Sequence, residues 1–220
     1  AMTFSGNKLG LKMNTAEYSL EMDMSVFKPA VWHCDNGALK MGIEDNYTYY
    51  WSNTNLIVSG KLTLFGKEHK MIGKGWFDRQ GGPYKFLDRR TQWEWFSLRF
   101  FDNEEVMLFS FPHDPYQDGT IIDVTGHAKR FMDYTITPLG FTEASGFKFS
   151  NGWTVNLKGV KEEEYTIIPK VDGQLNFFFF ELLADIKNKA GKVVGYCFVE
   201  LLPGVYNTKS TVSAVFANKK

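Results

Sequence analysis

Residues 73–82 read GKGWFDRQGG, and residues 92–97 read QWEWFS. Successive side chains of a β-strand point to opposite faces, so the first stretch places Trp76, Asp78 and Gln80 on one face of a strand. A carboxylate then lies between an indole and an amide. The pattern predicts a strand that carries part of a pocket wall with an ionisable group in it.

The second stretch opens a strand predicted over residues 93–101. Its two alternating sets of side chains, Trp93 with Trp95 and Phe96 with Leu98, are both apolar. This is expected when a strand is covered on both faces. A simple barrel with a solvated exterior does not require it, so the pattern implies a second layer or a second domain.

The rest of the chain repeats short alternating segments separated by turn residues, and hardly any segment has helical periodicity. We therefore expect an all-β fold, an antiparallel barrel or sandwich with little helix. A loop is predicted over residues 81–90. The other predicted strands cover residues 9–13, 16–27, 56–64, 69–76, 106–111, 119–123, 128–137, 146–149, 152–157, 164–169, 176–183 and 193–201, and residues 47–51 form a compact aromatic run.

Composition narrows the class of protein. Of the 220 residues, 16% are aromatic, and large rings are enriched in strands and in apolar pockets. The 25 basic and 25 acidic residues are interspersed, which disfavours nucleic acid as a partner. The longest apolar run, residues 177–183, is too short for a transmembrane segment. Cys34 and Cys197 are too few for a disulfide scaffold and are expected to be free thiols.

Several catalytic classes lack their signatures. The chain has no Gly-x-Ser-x-Gly elbow, no phosphate-binding loop and no dinucleotide fingerprint, so we expect no nucleotide cofactor. His33 is followed by Cys34 and Asp35, but the other three histidines are scattered along the sequence and no pair has ligand spacing. The sequence therefore predicts neither a metal site nor any other cofactor.

Five strings occur in an order and spacing that resemble the hydroxyneurosporene synthase family, also called the carotenoid 1,2-hydratase or AttH-like group. The strings are WHCDNG at 32–37, YYWS at 49–52, LIVSG at 56–60, GWFDRQ at 75–80 and WEWFSL at 93–98. The segment GYCFVEL at 195–201 resembles the closing strands of the same family. The resemblance extends over about residues 4–206.

The resemblance implies a fold of two lipocalin-like β domains. Family members usually carry a longer segment before the part equivalent to Leu9. Residues 1–75 are therefore expected to be the C-terminal part of a first domain, and residues 76–220 a complete second domain. The implied ligand is an apolar small molecule of terpenoid, polyene or lipid-like type. Members of this group differ in chemistry, so the fold alone does not assign a reaction.

Hydration of an isolated alkene needs a proton donor, an apolar cleft, aromatic faces near the developing cation and an ordered water molecule. Asp78 is the candidate acid, because a carboxyl group that is desolvated beside an indole keeps its proton more readily. His33 or Gln80 is the candidate to hold the water. The candidate ligand-binding residues are Trp76, Gln80, Trp93, Trp95, Tyr49 and Trp51.

Structural interpretations stand beside these roles. Asp78 could instead accept backbone hydrogen bonds or pair with Arg79, Arg89 or Arg90. Rings at period two on a sheet usually serve packing, which applies to Trp93 and Trp95. A non-catalytic binding or transport module is thus the alternative function. A carbohydrate-binding sandwich is less favoured, because the aromatic residues cluster beside glycines and a carboxylate.

Overall fold

The computed structural model describes residues 1–42, 45–84, 91–176, 179–202 and 206. These residues form 19 β-strands and no α-helix, which confirms the expected all-β class. In this part of the chain there is no helix with the length and apolar character needed to cross a membrane. Cys34 and Cys197 are buried and do not form a disulfide, as expected from their number.

The chain divides into two compact units. Residues 1–32 and 50–80 form the first unit, and residues 33–49 and 81–220 form the second. The backbone thus changes units three times, after residues 32, 49 and 80. The expectation that residues 1–75 are part of a first lipocalin-like domain and residues 76–220 a second one stays a prediction.

The first unit is built on a seven-stranded sheet in which β6, the longest strand, pairs with β3, β4, β5 and β7, while β1 and β2 continue the sheet beyond β3. The first residues of β6 and all of β5 belong to the second unit. The strands are β1 (Met2–Ser5), β2 (Lys8–Asn14), β3 (Tyr18–Val26), β4 (Val31–Trp32), β5 (Ala38–Lys40), β6 (Tyr47–Leu64) and β7 (Lys67–Gly81).

One face of this sheet carries the small core of the first unit. Period-two alternation places Leu9, Met24 and Leu56 on that face, where they are buried, and Phe77 packs against them from β7. Strands β3 and β6 approach closely at Gly60, because a Cβ atom there would overlap the main-chain oxygen of Glu21 on β3. Only glycine allows this approach.

The second unit is built on a ten-stranded sheet with the order β11-β10-β9-β8-β19-β18-β16-β15-β12, and β17 pairs with β18. Strands β13 and β14 form a separate hairpin. The bounds are β8 (Glu94–Phe100), β9 (Glu105–Ser110), β10 (Gln117–Ile122), β11 (Ala128–Phe131), β12 (Tyr134–Pro138), β13 (Phe141–Ala144), β14 (Phe147–Ser150), β15 (Trp153–Leu157), β16 (Glu164–Pro169), β17 (Gln174–Asn176), β18 (Phe179–Asn188) and β19 (Val193–Leu201).

This sheet curls into a nearly closed antiparallel barrel. Its two end strands, β11 and β12, are consecutive in sequence. The Gln117 side-chain amide of β10 donates to the main-chain oxygens of Met132 and Tyr134, at 2.7 and 2.8 Å. The Tyr134 hydroxyl donates in turn to the Asp118 carbonyl oxygen at 2.8 Å. Side chains therefore join β10, the neighbour of one end strand, to β12, the other end strand, and the barrel expectation is confirmed.

The interior of the barrel is apolar. Phe96, Leu98 and Phe100 of β8 point into it and meet residues of β15, β16, β18 and β19. The Phe96 ring lies edge-on to the Trp153 indole, with 5.2 Å between ring centroids. Both faces of β8 are buried, as the sequence predicts.

Residues 33–49 add a further layer to the outside of this barrel. His33 contacts Thr120 of β10, and Asp35 pairs with Arg130 of β11. The Lys40 ammonium lies 5.1 Å from the centre of the Tyr116 ring. This segment covers part of the outer face over β10 and β11, and a second layer or domain over β8 stays a prediction.

Most predicted strands agree with the structure to within a few residues, and two departures have physical reasons. The strand predicted over 56–64 begins earlier, at Tyr47, because the aromatic run 47–51 and the buried polar residues 52–55 are also paired within β6. The strand predicted over 128–137 is divided at residues 132–133, where the chain turns from β11 to β12. Most of the loop predicted over 81–90, residues 85–90, lies outside the described residues.

Candidate functional site

Asp78 lies on β7 of the first unit, and three side chains converge on one of its carboxyl oxygens. The Tyr50 hydroxyl donates to Oδ1 at 2.9 Å, and the Trp76 indole Nε1 donates to the same atom at 2.6 Å. The Ser52 hydroxyl is the third donor. Tyr50 and Ser52 alternate along β6 and are both buried, so the neighbouring strand presents two hydroxyl groups to one carboxylate.

The arrangement suits a carboxylate that is held in a fixed orientation at a surface. Asp78 itself is exposed, whereas two of its three donors are fully buried. Hydrogen bonds donated to a carboxylate favour its charged form. The same group can accept a hydrogen bond from a bound molecule, and it can transfer a proton when protonated. Arg79 forms no ion pair with it in the described structure, and Arg89 and Arg90 lie outside the described residues.

Two other predicted residues lie in the first unit. Gln80 follows Asp78 on the same face of β7 and is exposed. Trp51 is half-buried, and its ring contacts Trp32 and Phe77, with centroid separations of 6.5 and 5.9 Å. Among the predicted residues, the described hydrogen bonds thus bring Trp76 to Asp78, and the described ring contacts of Trp51 lead to other aromatic residues.

His33 lies in the second unit and has no exposed surface. Its Nδ1 atom is 3.0 Å from the Thr120 hydroxyl, and burial lowers the pKa of the imidazole to about 3. The ring is therefore neutral at physiological pH. Next to it, Arg130 pairs with the fully buried Asp118 at 2.7 Å. These contacts attach residues 33–35 to the barrel, and a role for His33 in holding a water molecule stays a prediction.

The remaining predicted residues also belong to the second unit. Trp93 is buried, and its indole Nε1 donates to Glu200 Oε1 at 3.0 Å. Trp95 is buried with its ring against Phe198. Tyr49 is exposed over 54% of its surface. The two tryptophans have the environment of packed side chains, while the tyrosine has a surface available for contact.

A second carboxyl group, which the sequence reasoning did not select, lies inside the barrel. Glu94 is only 2% exposed and accepts a hydrogen bond from the Ser150 hydroxyl. The Ser150 hydroxyl in turn accepts a hydrogen bond from the Trp153 indole Nε1 at 3.0 Å. Tyr206 also forms a hydrogen bond with the Glu94 carboxyl group. Burial raises the pKa of Glu94, although the bonds from Ser150 and Tyr206 act in the opposite direction.

The sequence contained usable signals for the residues that were missed. Tyr49 and Trp51 were chosen from the string at 49–52, but the alternate pair, Tyr50 and Ser52, supplies the donors to Asp78. Which alternating set of side chains on β6 reaches Asp78 depends on how β6 pairs with β7, and residues 49–52 alone do not show that pairing. Glu94 was identifiable, because a charged residue in a strand covered on both faces has to be buried.

The part of the chain that the structure describes contains no candidate metal site. No group of three or more His, Cys, Asp or Glu residues in these ranges is arranged to hold a metal ion.

The chain is similar to one family model and to solved structures of two known proteins. A family model described as AttH-like matches residues 2–204. A protein assigned to AttH from Nitrosomonas europaea is 18% identical with a TM-score of 0.80, and the match covers 93% of this chain and 68% of that one. Kievitone hydratase from Nectria haematococca is 17% identical with a TM-score of 0.70, and the match covers 90% of this chain and 65% of that one.

No curated protein matches the chain. The chain spans about two thirds of the length of both similar structures. At these identities the likeness concerns the fold, and the lipocalin-like expectation for the fold is confirmed.

Proposed function

Since the chain belongs to the AttH-like family, we propose that it binds an apolar small molecule of terpenoid, polyene or lipid-like type and adds water to one of its carbon–carbon double bonds. Asp78 is the carboxyl group that moves the proton. The observation that carries the proposal is the convergence of Tyr50, Ser52 and Trp76 on Asp78 Oδ1.

The proposed reaction follows from what a positioned carboxyl group can do. The carboxylic acid of Asp78 protonates one alkene carbon, and a water molecule attacks the carbocation formed at the other carbon. The proton lost by that water passes to the carboxylate, which restores the acid. The π face of Trp76, whose N–H group holds Asp78, is suited to stabilise the intermediate cation.

The buried donors also have a role in this scheme. Tyr50 and Ser52 fix the carboxyl group against rotation, so that a bound alkene meets the proton in one orientation. Similarity in fold to kievitone hydratase is consistent with this reaction type. Because that likeness concerns fold alone, the reaction is proposed from the site and from family membership.

A second candidate is a binding or transport module without catalysis. It is favoured by one specific observation, since three donors on one carboxylate oxygen favour the charged form, which is not the form that donates a proton. In that case Asp78 accepts a hydrogen bond from a ligand hydroxyl group, and the rings near it supply an apolar lining.

The test is the Asp78→Asn variant with lycopene, an acyclic polyene, and with kievitone as substrates. We expect turnover to products that have gained one water molecule, measured by mass spectrometry, to decrease by about a hundredfold, which is typical for the loss of a general acid. Saturable quenching of tryptophan fluorescence by the same compounds should change by less than about threefold.

Asp23→Asn is the matched control, because Asp23 is an exposed carboxylate on β3 of the same sheet. It should leave both turnover and quenching unchanged. Unchanged turnover in Asp78→Asn would exclude Asp78 as the acid. Saturable quenching of the unmodified protein without turnover of either compound would favour the module without catalysis.

A further inference from the structure

Gln92, two residues before Glu94, is the most unusual polar side chain of the second unit. It is fully buried, and neither its Oε1 nor its Nε2 atom has a hydrogen-bond partner among the described residues. A buried primary amide without partners is unfavourable, and almost all buried polar groups in proteins are hydrogen-bonded. Gln92 therefore marks a position where a polar group from outside the chain is expected.

The backbone places Gln92 and Glu94 on the same side of the chain. Strand pairing continues beyond β8, because the Leu202 amide donates to the Trp93 carbonyl oxygen at 3.0 Å. The Trp93 side chain lies on the outside of the barrel, bonded to Glu200. In an extended chain the residues on either side of Trp93 point the opposite way, so both Gln92 and Glu94 face the interior.

Glu94 has no cationic partner among the described residues. Its described partners are the hydroxyl groups of Ser150 and Tyr206, and the ion pairs of the second unit join other residues. Burial raises its pKa, which favours the neutral acid. A neutral carboxyl group offers one O–H donor and further acceptor capacity, and the amide of Gln92 offers two N–H donors and an acceptor oxygen.

Aromatic rings surround the partners of this carboxyl group. The Tyr206 ring lies 4.9 Å from Phe141, and Phe149 stacks on Phe180 at 4.5 Å. Trp153 donates to the same serine that bonds Glu94. Small-molecule sites have this composition, with a few convergent polar groups set in an apolar and aromatic lining.

We propose that Gln92 and Glu94 form the polar end of a second binding site, inside the barrel of the second unit, for a neutral molecule that joins an apolar body to one hydroxyl or carbonyl group. A hydroxyl or carbonyl oxygen can accept a hydrogen bond from Gln92 Nε2, and a hydroxyl group can instead donate one to Oε1. A carboxylate ligand is disfavoured, because it would bring a negative charge to a buried position that no described cation faces. These residues are separate from Asp78 and its three donors.

Calorimetric titration with decanol and decanoate near neutral pH tests the proposal, because the two probes share a chain length and differ in charge. The unmodified protein should bind decanol saturably and decanoate at least about tenfold more weakly. Gln92→Leu, which keeps the volume of the side chain, should weaken decanol binding by about tenfold, the effect of losing one or two hydrogen bonds. Gln174→Leu is the control, because Gln174 is an exposed glutamine of the same unit.

Infrared spectroscopy provides a second readout that does not depend on the folding of Gln92→Leu. Decanol should shift the infrared band of the Glu94 side chain in the unmodified protein, the C=O band of the acid or the band of the carboxylate, and this band should be absent in Glu94→Gln. Absence of saturable decanol binding, or of any shift in the band, overturns the proposal.

Two further outcomes separate this site from the proposed function. If Gln92→Leu raises the melting temperature and leaves decanol affinity unchanged, the amide only holds a structural water molecule, and the proposal is overturned. If decanol affinity decreases in Asp78→Asn and not in Gln92→Leu, the second site is also overturned, while the role of Asp78 is supported. Decanol affinity that depends on Gln92 and not on Asp78 supports the second site whatever the turnover result.

Discussion

Asp78 and Glu94 are held by the same three kinds of side chain in different units of the molecule. Each carboxyl group hydrogen-bonds to one tyrosine hydroxyl and one serine hydroxyl, and a tryptophan N–H completes each cluster. At Asp78 the indole donates directly to the carboxyl oxygen, whereas at Glu94 it donates to the serine. The sets of donors are therefore almost alike, and the difference between the sites lies elsewhere.

The two carboxyl groups differ in their exposure to solvent. Asp78 is exposed, while Glu94 is 2% exposed. Desolvation is the largest influence on the pKa of Glu94 and raises it despite two favourable hydrogen bonds. The comparison shows that donors alone do not decide whether a carboxyl group is charged, because removing water can outweigh them. One fold thus offers an exposed carboxyl group with three donors and a buried one whose pKa is raised.

Replacement of each carboxyl group by lysine should separate the two sites most strongly. Glu94→Lys would bury an ammonium group without a partner, and we expect the free energy of unfolding to decrease by about 3 to 5 kcal/mol. Asp78→Lys should cost at most about 2 kcal/mol, because the ammonium can reach water and only buried hydroxyl groups lose an acceptor. Urea unfolding of both variants gives the two values. Equal losses would mean that Glu94 is accessible to water, and the comparison would fail.

Removal of the serine hydroxyl from each cluster should have a smaller but still unequal effect. Ser150→Ala removes the buried acceptor of the Trp153 indole and leaves Glu94 with the Tyr206 hydroxyl, so a loss of about 2 kcal/mol is expected. Ser52→Ala leaves Asp78 with two donors and with water, and should cost less than about 1 kcal/mol. Melting temperatures measure both changes. A larger effect at Ser52 would show that its buried position matters more than the exposure of Asp78.

Much of the fold could be predicted from alternation alone. The apolar character of both faces of the strand around Phe96 predicted that both are covered, and both faces of β8 are buried, while residues 33–42 and 45–49 form an outer layer over β10 and β11. The origin of that layer could not be predicted, because it depends on contacts between residues far apart in sequence, such as His33 and Thr120. Local patterns report the faces of a strand and do not report what covers them.

In the candidate sites too, contacts within one strand could be predicted from the sequence, and contacts between distant residues could not. Trp76 and Asp78 are two residues apart on one strand, so their hydrogen bond follows from local geometry. The donors from β6, Tyr50 and Ser52, require the register between two strands, and the ligand-binding role of Tyr49 and Trp51 stays a prediction. At Glu94 the partner Ser150 is 56 positions away. Only the presence of a charge in a doubly covered strand indicated that such a partner had to exist.

The smallest predicted effect concerns pH and distinguishes a buried acid from an exposed carboxylate. Because the pKa of Glu94 is raised in the folded protein, the folded state binds a proton more tightly there than the unfolded chain. The contribution of this group to stability is fully present below its ordinary pKa and decreases as the pH rises through the folded value. In Glu94→Gln the amide has no proton to lose, so this decrease should be absent.

His33 also makes stability depend on pH, so the effect of Glu94 is measured as the difference in unfolding free energy between the unmodified protein and Glu94→Gln. Burial lowers the pKa of His33 to about 3 from its ordinary value of 6.5, so its contribution to stability increases as the pH rises between these values. That slope has the opposite sign and is common to the unmodified protein and Glu94→Gln, so it cancels when one unfolding curve is subtracted from the other. The measurement is urea unfolding at a series of pH values. As the pH rises above the ordinary pKa of glutamate, the unmodified protein should lose stability relative to Glu94→Gln. The exposed control Glu17→Gln should show no such trend relative to the unmodified protein. A difference that is independent of pH would mean that Glu94 titrates as an exposed carboxyl group does, and the contrast with Asp78 would then rest on packing alone.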